Sequence, residues 1–159
     1  MSSPPNKTHA PTPIHLTSTH ISTLPTESFP DRKTNGNVTW KTLFSAPGTA
    51  TDTFTSGIAT CQPGSSTSCP GDLKAHRHSY AELYHIVSGQ GVLTIEGVEH
   101  AVSAGSVLFI PGDAEHGVKC TGTEELVWWY VFAARAFEEV VYRFSEAGEQ
   151  GRVLGKAKL

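Results

Sequence analysis

Charge is scarce in this sequence. Asp, Glu, Lys and Arg together make up 17% of its 159 residues, and the formal balance is only −3. There is no basic excess of the kind that neutralises phosphates, so nucleic acid is not an expected partner. Long apolar runs are missing too. The longest, Leu126 to Ala134, is too short to cross a bilayer, and no membrane partner is expected. The opening residues Met1-Ser2-Ser3-Pro4-Pro5-Asn6-Lys7 hold no apolar stretch of signal-peptide type, so the expected location is cytoplasmic. Cysteine is sparse and odd in number: Cys61, Cys69 and Cys120, none in a C-x-x-C pair. Free thiols in a reducing compartment fit this pattern better than a disulfide framework, although Cys61 and Cys69 are close enough in sequence to bridge a loop.

What the chain does have is punctuation. Turn signals recur at Pro47-Gly48, Pro63-Gly64, Ser88-Gly89, Glu96-Gly97, Ala104-Gly105, Pro111-Gly112-Asp113 and Thr121-Gly122. Between them lie short runs rich in β-branched and aromatic residues: 38–44, 53–60, 83–87, 92–95, 98–102, 107–110 and 126–132. Many short strands at this spacing predict an all-β sandwich or barrel, and the length suits one domain with a real core. Residues 1–37 read as an N-terminal arm in which Ile14-His15-Leu16 supplies an edge or swapped strand. Residues 38–144 read as the barrel, and 145–159 as a polar C-terminal tail. Residues 133–139 are briefly helical in character, and 140–144 return to strand.

Within the barrel, His76 and His78 are two apart. In a strand they share a face, so both imidazoles point the same way. Such a pair is weak alone, because about 0.4 H-x-H pairs are expected by chance in a chain with this many histidines. Glu82 has the same parity but would lie ~13 Å from His78 on one straight strand. The chain must therefore bend at Ser79-Tyr80-Ala81 so that Glu82 opens the next strand. His116, after the Pro111-Gly112-Asp113 turn, must return to the same spot from another strand. Three imidazoles and one carboxylate can surround one divalent transition metal: Fe, Mn, Ni, Cu or Zn.

These residues carry a family resemblance. The segment from Gly71 to Gly89, with His76, His78 and Glu82 inside it, resembles the first cupin motif. The segment from Gly105 to His116, with Pro111 inside it, is similar to the second. Gly71 stands one residue closer to His76 than the pattern has it. Asp113 and Cys120 occupy the second motif's middle-glycine and asparagine positions. The resemblance spans roughly residues 53–132. It implies a double-stranded β-helix, a cupin jelly-roll barrel, with one metal held by His76, His78, Glu82 and His116 and an open coordination position for water, dioxygen or substrate.

Two further residues are candidates for catalysis. Lys74 lies two before His76 and by parity faces the same way. It either pairs with an anionic substrate group or is a lysine at the barrel mouth. Tyr84, two after Glu82, either hydrogen-bonds a ligand or fills the core. One of Trp128 and Trp129 must face inward, and alternation does not say which. The expected function is a metal-dependent enzyme on a small, mainly apolar organic molecule carrying an anionic or polar group, by oxygenase, isomerase or lyase chemistry. The alternative is a non-catalytic metal- or small-molecule-binding module. The apolar residues of the arm, including Ile21, Leu24 and Phe29, suggest a homodimer built by strand exchange.

Overall fold

In this computed structural model, residues 12–64 and 71–145 are described, together with the backbone of a short strand at 154–155. The chain opens with helix α1 (Ser18–Thr23), strand β1 (Glu27–Ser28) and helix α2 (Arg32–Asn35). Both helices start at a side chain that accepts a free backbone N–H: Thr17 takes that of His20, and Asp31 takes that of Lys33. Then come β2 (Thr39–Phe44), β3 (Thr55–Cys61), β4 (Asp72–Arg77), β5 (Glu82–Ser88), β6 (Gln90–Ile95), β7 (Val98–Ser103), β8 (Val107–Ile110), β9 (His116–Cys120), β10 (Leu126–Phe132), β11 (Tyr142–Phe144) and β12 (Leu154–Gly155).

The strands form two antiparallel sheets, ordered β1-β2-β3-β10-β5-β8 and β12-β11-β4-β9-β6-β7. This is the jelly-roll barrel implied by the two motifs. Turn chemistry sets its corners. Glu96 and Gly97 both have positive φ and close the β6–β7 hairpin with two residues. Asp113 takes φ +63°, so it supplies the left-handed conformation that a glycine gives at this point of the second motif. Among the described residues no helix is long and apolar enough to cross a membrane.

The core lies between the sheets and is mostly aromatic. Phe29, Trp40, Tyr84, Trp128, Tyr130, Phe132, Phe137, Tyr142 and Phe144 are all buried. Three expectations need correction here. Residues 14–16 form no strand. The edge strand is Glu27–Ser28, paired with Trp40 and Thr39 of the same chain. The arm is not a free segment either, because Phe29 packs on Trp40, Tyr142 and Phe144 with ring centroids 4.8, 5.0 and 5.1 Å away. The helical stretch at 133–139 shrinks to a 3₁₀ turn at Phe137–Glu139. Ala136 is extended and Phe137 N–H donates to Ser45 Oγ at 2.8 Å, which places the Phe137 ring in the core. Residues 1–11, Cys69 and all of the tail's side chains beyond Ser145 lie outside the described residues.

Candidate metal centre

His76 sits near the end of β4 and pairs directly across the sheet with His116, the first residue of β9. Their rings are consequently 4.2 Å apart between centroids. His78 follows β4 by one residue, the chain bends over 79–81, and Glu82 opens β5. A turn at 111–115 delivers His116. Asp113 N–H donates to the His78 carbonyl at 2.7 Å, and a Cβ on Gly112 would lie 2.3 Å from the Ser79 carbonyl oxygen. Arg77 clamps the same turn from outside, donating to the Asp113 carbonyl at 2.7 Å and to Glu96 at 3.0 Å. Arg143 pairs with the Asp113 carboxylate.

Each imidazole is oriented by a backbone carbonyl. His76 Nδ1 bonds Lys74 O at 2.8 Å, His78 Nδ1 bonds Tyr80 O at 2.8 Å, and His116 Nδ1 bonds Ala114 O at 2.9 Å. A carbonyl only accepts, so Nδ1 donates in all three rings, which leaves each Nε2 as the nitrogen available to a ligand. One ligand nitrogen from each of the three histidines lies within 4.8 Å of the others. Glu82 Oε2 lies 3.2 Å from His78 Nε2 and 3.3 Å from His116 Nε2. The three imidazoles and the Glu82 carboxylate thus converge on one place, with His78 Nε2 and Glu82 Oε2 at hydrogen-bond distance. His76 Nε2 and His116 Nε2 are buried without any hydrogen-bond partner. Burial, and then the neighbouring His116 and His78, hold His76 well below the ordinary histidine pKa, which keeps it a neutral donor to a cation. An N₃O set of this kind fits a divalent transition metal.

Tyr84 points into the barrel beside the cluster. Its ring centroid is 6.3 Å from that of His116 and 5.5 Å from that of Trp128. Burial, reinforced by the Glu82 carboxylate, pushes its phenol well above the ordinary range. Trp128 is the inward tryptophan, and Trp129 faces out. Lys74 is a correction. A bulge in β4 between Leu73 and His76 breaks the alternation, so Lys74 does not share the facing of His76. Its side chain is 37% exposed and pairs with Asp72 at 2.6 Å. Only its carbonyl, which holds His76, reaches the site. Cys120 is buried, and its thiol donates to the Glu124 carbonyl at 3.3 Å. Ile86 and Val118 are core residues.

An interior space beside Glu82 of about 20 Å³ is lined by Trp40, Tyr84, Trp128, Tyr130 and Tyr142 among others. That holds a water or an ion; a larger ligand enters only if the aromatic lining moves. Trp40, Tyr130 and Tyr142 carry no motif spacing. Their only signal in the sequence is aromatic type on short strands, which a plain core shares.

The site and fold together define a jelly-roll protein with a buried three-histidine, one-glutamate cluster. Comparison with known proteins agrees. The family model for the cupin domain matches residues 57–132. The dimethylsulfoniopropionate lyase DddW of Ruegeria pomeroyi is 42% identical over 112 residues, covering 70% of this chain and 69% of the relative. The chain belongs to the cupin family. Among solved structures, a cupin-2 domain from Rhodospirillum rubrum matches with TM-score 0.62 at 20% identity, over 78% of this chain and 76% of its own. The polyketide cyclase RemF from Streptomyces resistomycificus matches with TM-score 0.61 at 18% identity, over 74% and 79%. A structure of the dimethylsulfoniopropionate lyases RdDddP and RnDddQII matches with TM-score 0.56 at 20% identity, over 70% of this chain and 54% of that one. At these identities the structural matches speak for the fold alone.

Proposed function

We propose that this protein is a metal-dependent lyase that cleaves a small sulfonium carboxylate of the dimethylsulfoniopropionate type. The observation that carries the reading is the convergence of Glu82 Oε2 with the buried imidazoles of His76, His78 and His116, a donor set that suits a cation. The 42% identity to the Ruegeria lyase supports the reaction class over oxygenase or isomerase chemistry. The lining supports the substrate class. An onium group is attracted to the faces of aromatic rings, and Trp40, Trp128 and Tyr130, which line the space beside Glu82, would offer them once that lining opens to admit a substrate.

Cleavage balances as an elimination. A base takes a proton from the carbon next to the carboxylate, its electron pair forms the C=C bond, and the C–S bond breaks. Dimethyl sulfide leaves and acrylate remains. His76, His78, Glu82 and His116 would hold a divalent cation, which would supply Lewis acidity to the substrate carboxylate. Tyr84 would accept the proton as its phenolate, having first released its own proton to solvent, an ionisation that its burial and the Glu82 carboxylate oppose. The aromatic walls keep water out and hold the sulfonium away from solvent.

The test loads the metal-free protein with Fe, Mn, Ni, Cu or Zn separately and measures dimethyl sulfide in the headspace after adding dimethylsulfoniopropionate. Release with at least one metal, lost in His116→Ala, is the expected result. Stoichiometric metal without any release overturns the lyase reading. It leaves the non-catalytic binding module, which the small interior cavity favours.

A further inference from the structure

We infer that the short strand β1 and Phe29 form a removable wall of the barrel, and that the groove outside them is the entrance by which a small organic molecule reaches the metal cluster. Two spaces lie on either side of this wall. Inside is the space of about 20 Å³ beside Glu82, bordered by Phe29 and Trp40. Outside is a groove of about 590 Å³, bordered by Leu24, Pro25, Glu27, Ser28 and Thr42 among others. The groove is of a size that takes a small organic ligand, and the interior space is not. The two linings nearly meet on both strands. Ser28 lines the groove and the next residue, Phe29, lines the interior; on β2, Thr42 lines the groove and Trp40 the interior.

Three observations make this the part of the wall that opens. First, it is thinly tied. β4, β5 and β10 are each paired along both edges, whereas β1 is two residues long and pairs only with β2. Pro25 and Pro30 flank it and, having no N–H, cannot extend the ladder. The chain is anchored beyond both ends. Lys41 Nζ donates to the Ile21 and Ser22 carbonyls of α1 at 3.1 and 2.7 Å, and Gly36, after α2, bridges to Leu73. Residues 24–31 therefore form a strap that can lift between fixed points without unfolding the barrel. Second, the closed wall leaves polar atoms unsatisfied. Glu27 and Trp40 are directly paired, and Glu27 Oε2 and Trp40 Nε1 are both buried with no hydrogen-bond partner. Water or a ligand entering the opened wall satisfies both, which lowers the cost of opening here. Third, the plug is one ring. Phe29 borders the space beside Glu82, so its withdrawal joins that space to the groove. Glu27 is the one charged side chain bordering the groove, and its carboxylate suits the sulfonium end of the substrate proposed above. The identity of the ligand rests on that reading; the position of the entrance rests on the wall alone.

Fluorescence quenching of the full chain tests the entrance. Trp40 and Trp128 line the interior, and in a Trp129→Phe background they are the emitting tryptophans. Adding Phe29→Ala should let acrylamide, a small neutral quencher, quench them at least ~3-fold faster. A lock gives a second measurement that keeps the core intact, and it decides alone where Phe29→Ala fails to fold. Ser28 and Thr39 are directly paired with their side chains on the outer face, within reach of a disulfide. With Ser28→Cys and Thr39→Cys in the same background, the oxidised form should be quenched at least ~3-fold more slowly than the reduced form. Equal quenching of the two forms overturns the entrance, as does a folded Phe29→Ala quenched no faster than its background. Where the metal-loaded protein releases dimethyl sulfide, oxidation should stop the release, reductant should restore it, and metal content should not change. Release that persists in the oxidised form also overturns the entrance. A parent that releases none with any metal removes the lyase reading, and quenching then decides the entrance by itself.

Discussion

Replacing His116 by alanine separates a metal site from a merely polar pocket. In the metal-free protein the change has two opposed parts. It deletes a buried nitrogen that has no partner, which relieves about 1–3 kcal/mol. It also opens a hole beside His76 and Tyr84, which costs about 2–4 kcal/mol. The two nearly cancel, so the metal-free melting temperature should move by only a few degrees. With metal the outcome differs. A cation present at ~1,000-fold over its Kd stabilises the parent by about 4 kcal/mol. For a chain of this length that is a rise of about 8–16 °C. Loss of a partner that only orients a ligand weakens metal binding ~10–100-fold, so loss of the ligand itself should cost at least ~100-fold. The increment then falls to about 1.4 kcal/mol at the same metal concentration. Differential scanning calorimetry of parent and variant, with and without Fe, Mn, Ni, Cu or Zn, reads both quantities. An equal metal-dependent rise in the two proteins would show that His116 is not a ligand. No rise in the parent with any of the five would remove the metal site altogether.

Tyr84→Phe should keep its metal by elemental analysis and lose ~10²–10⁴-fold in turnover of dimethylsulfoniopropionate; near-parental turnover would assign the proton transfer to another group. Lys74→Met should leave both metal content and turnover unchanged, because its partly exposed pair with Asp72 is worth at most about 1 kcal/mol and faces away from the site. Burial holds the Cys61 thiol and the Tyr130 phenol protonated in the fold, Cys61 helped by Asp72 and both well above their ordinary values. A raised pKa stabilises fully below the unfolded value and is lost as pH rises past it. Stability by urea denaturation should therefore fall by up to ~1.4 kcal/mol per pH unit above about 8.5, and up to about four times as steeply above about 10, where the buried Tyr84, Tyr130 and Tyr142 join Cys61. Cys61→Ala should remove the first limb, and its persistence in that variant would refute the assignment. Gly112→Ala drives a methyl into the Ser79 carbonyl, where it should destabilise by about 1–3 kcal/mol and loosen metal binding together; a neutral outcome in both would show that the turn carries no constraint.

The strands and turns of this barrel were legible because they rest on local rules. Ser88-Gly89, Glu96-Gly97 and Pro111-Gly112-Asp113 end strands by their own backbone preferences, with positive φ at Gly89, Glu96, Gly97 and Asp113. The four residues His76, His78, Glu82 and His116 stood out because their types and spacing are few enough to search, and the structure brings all four together. Lys74 was misplaced because parity assumes an unbroken pleat. The bulge between Leu73 and His76 arises from pairing with Val118 and His116 of β9, distant in the chain.

The same limit applies to Trp128 and Trp129. Leu126 to Phe132 is apolar on both faces, so alternation carries no direction until β3 and β5 pair on either side of it. Phe29 looked like part of a loose arm because its partners Trp40, Tyr142 and Phe144 come from strands far apart in the chain. Periodicity and turn preference are properties of a few neighbouring residues, so the order of residues was enough for the strand pattern and the candidate ligands. The direction a side chain faces after a bulge, the size of the space left beside Glu82 and the thin wall that Phe29 closes over it depend on which distant strands pack together. Those features came only with the tertiary structure.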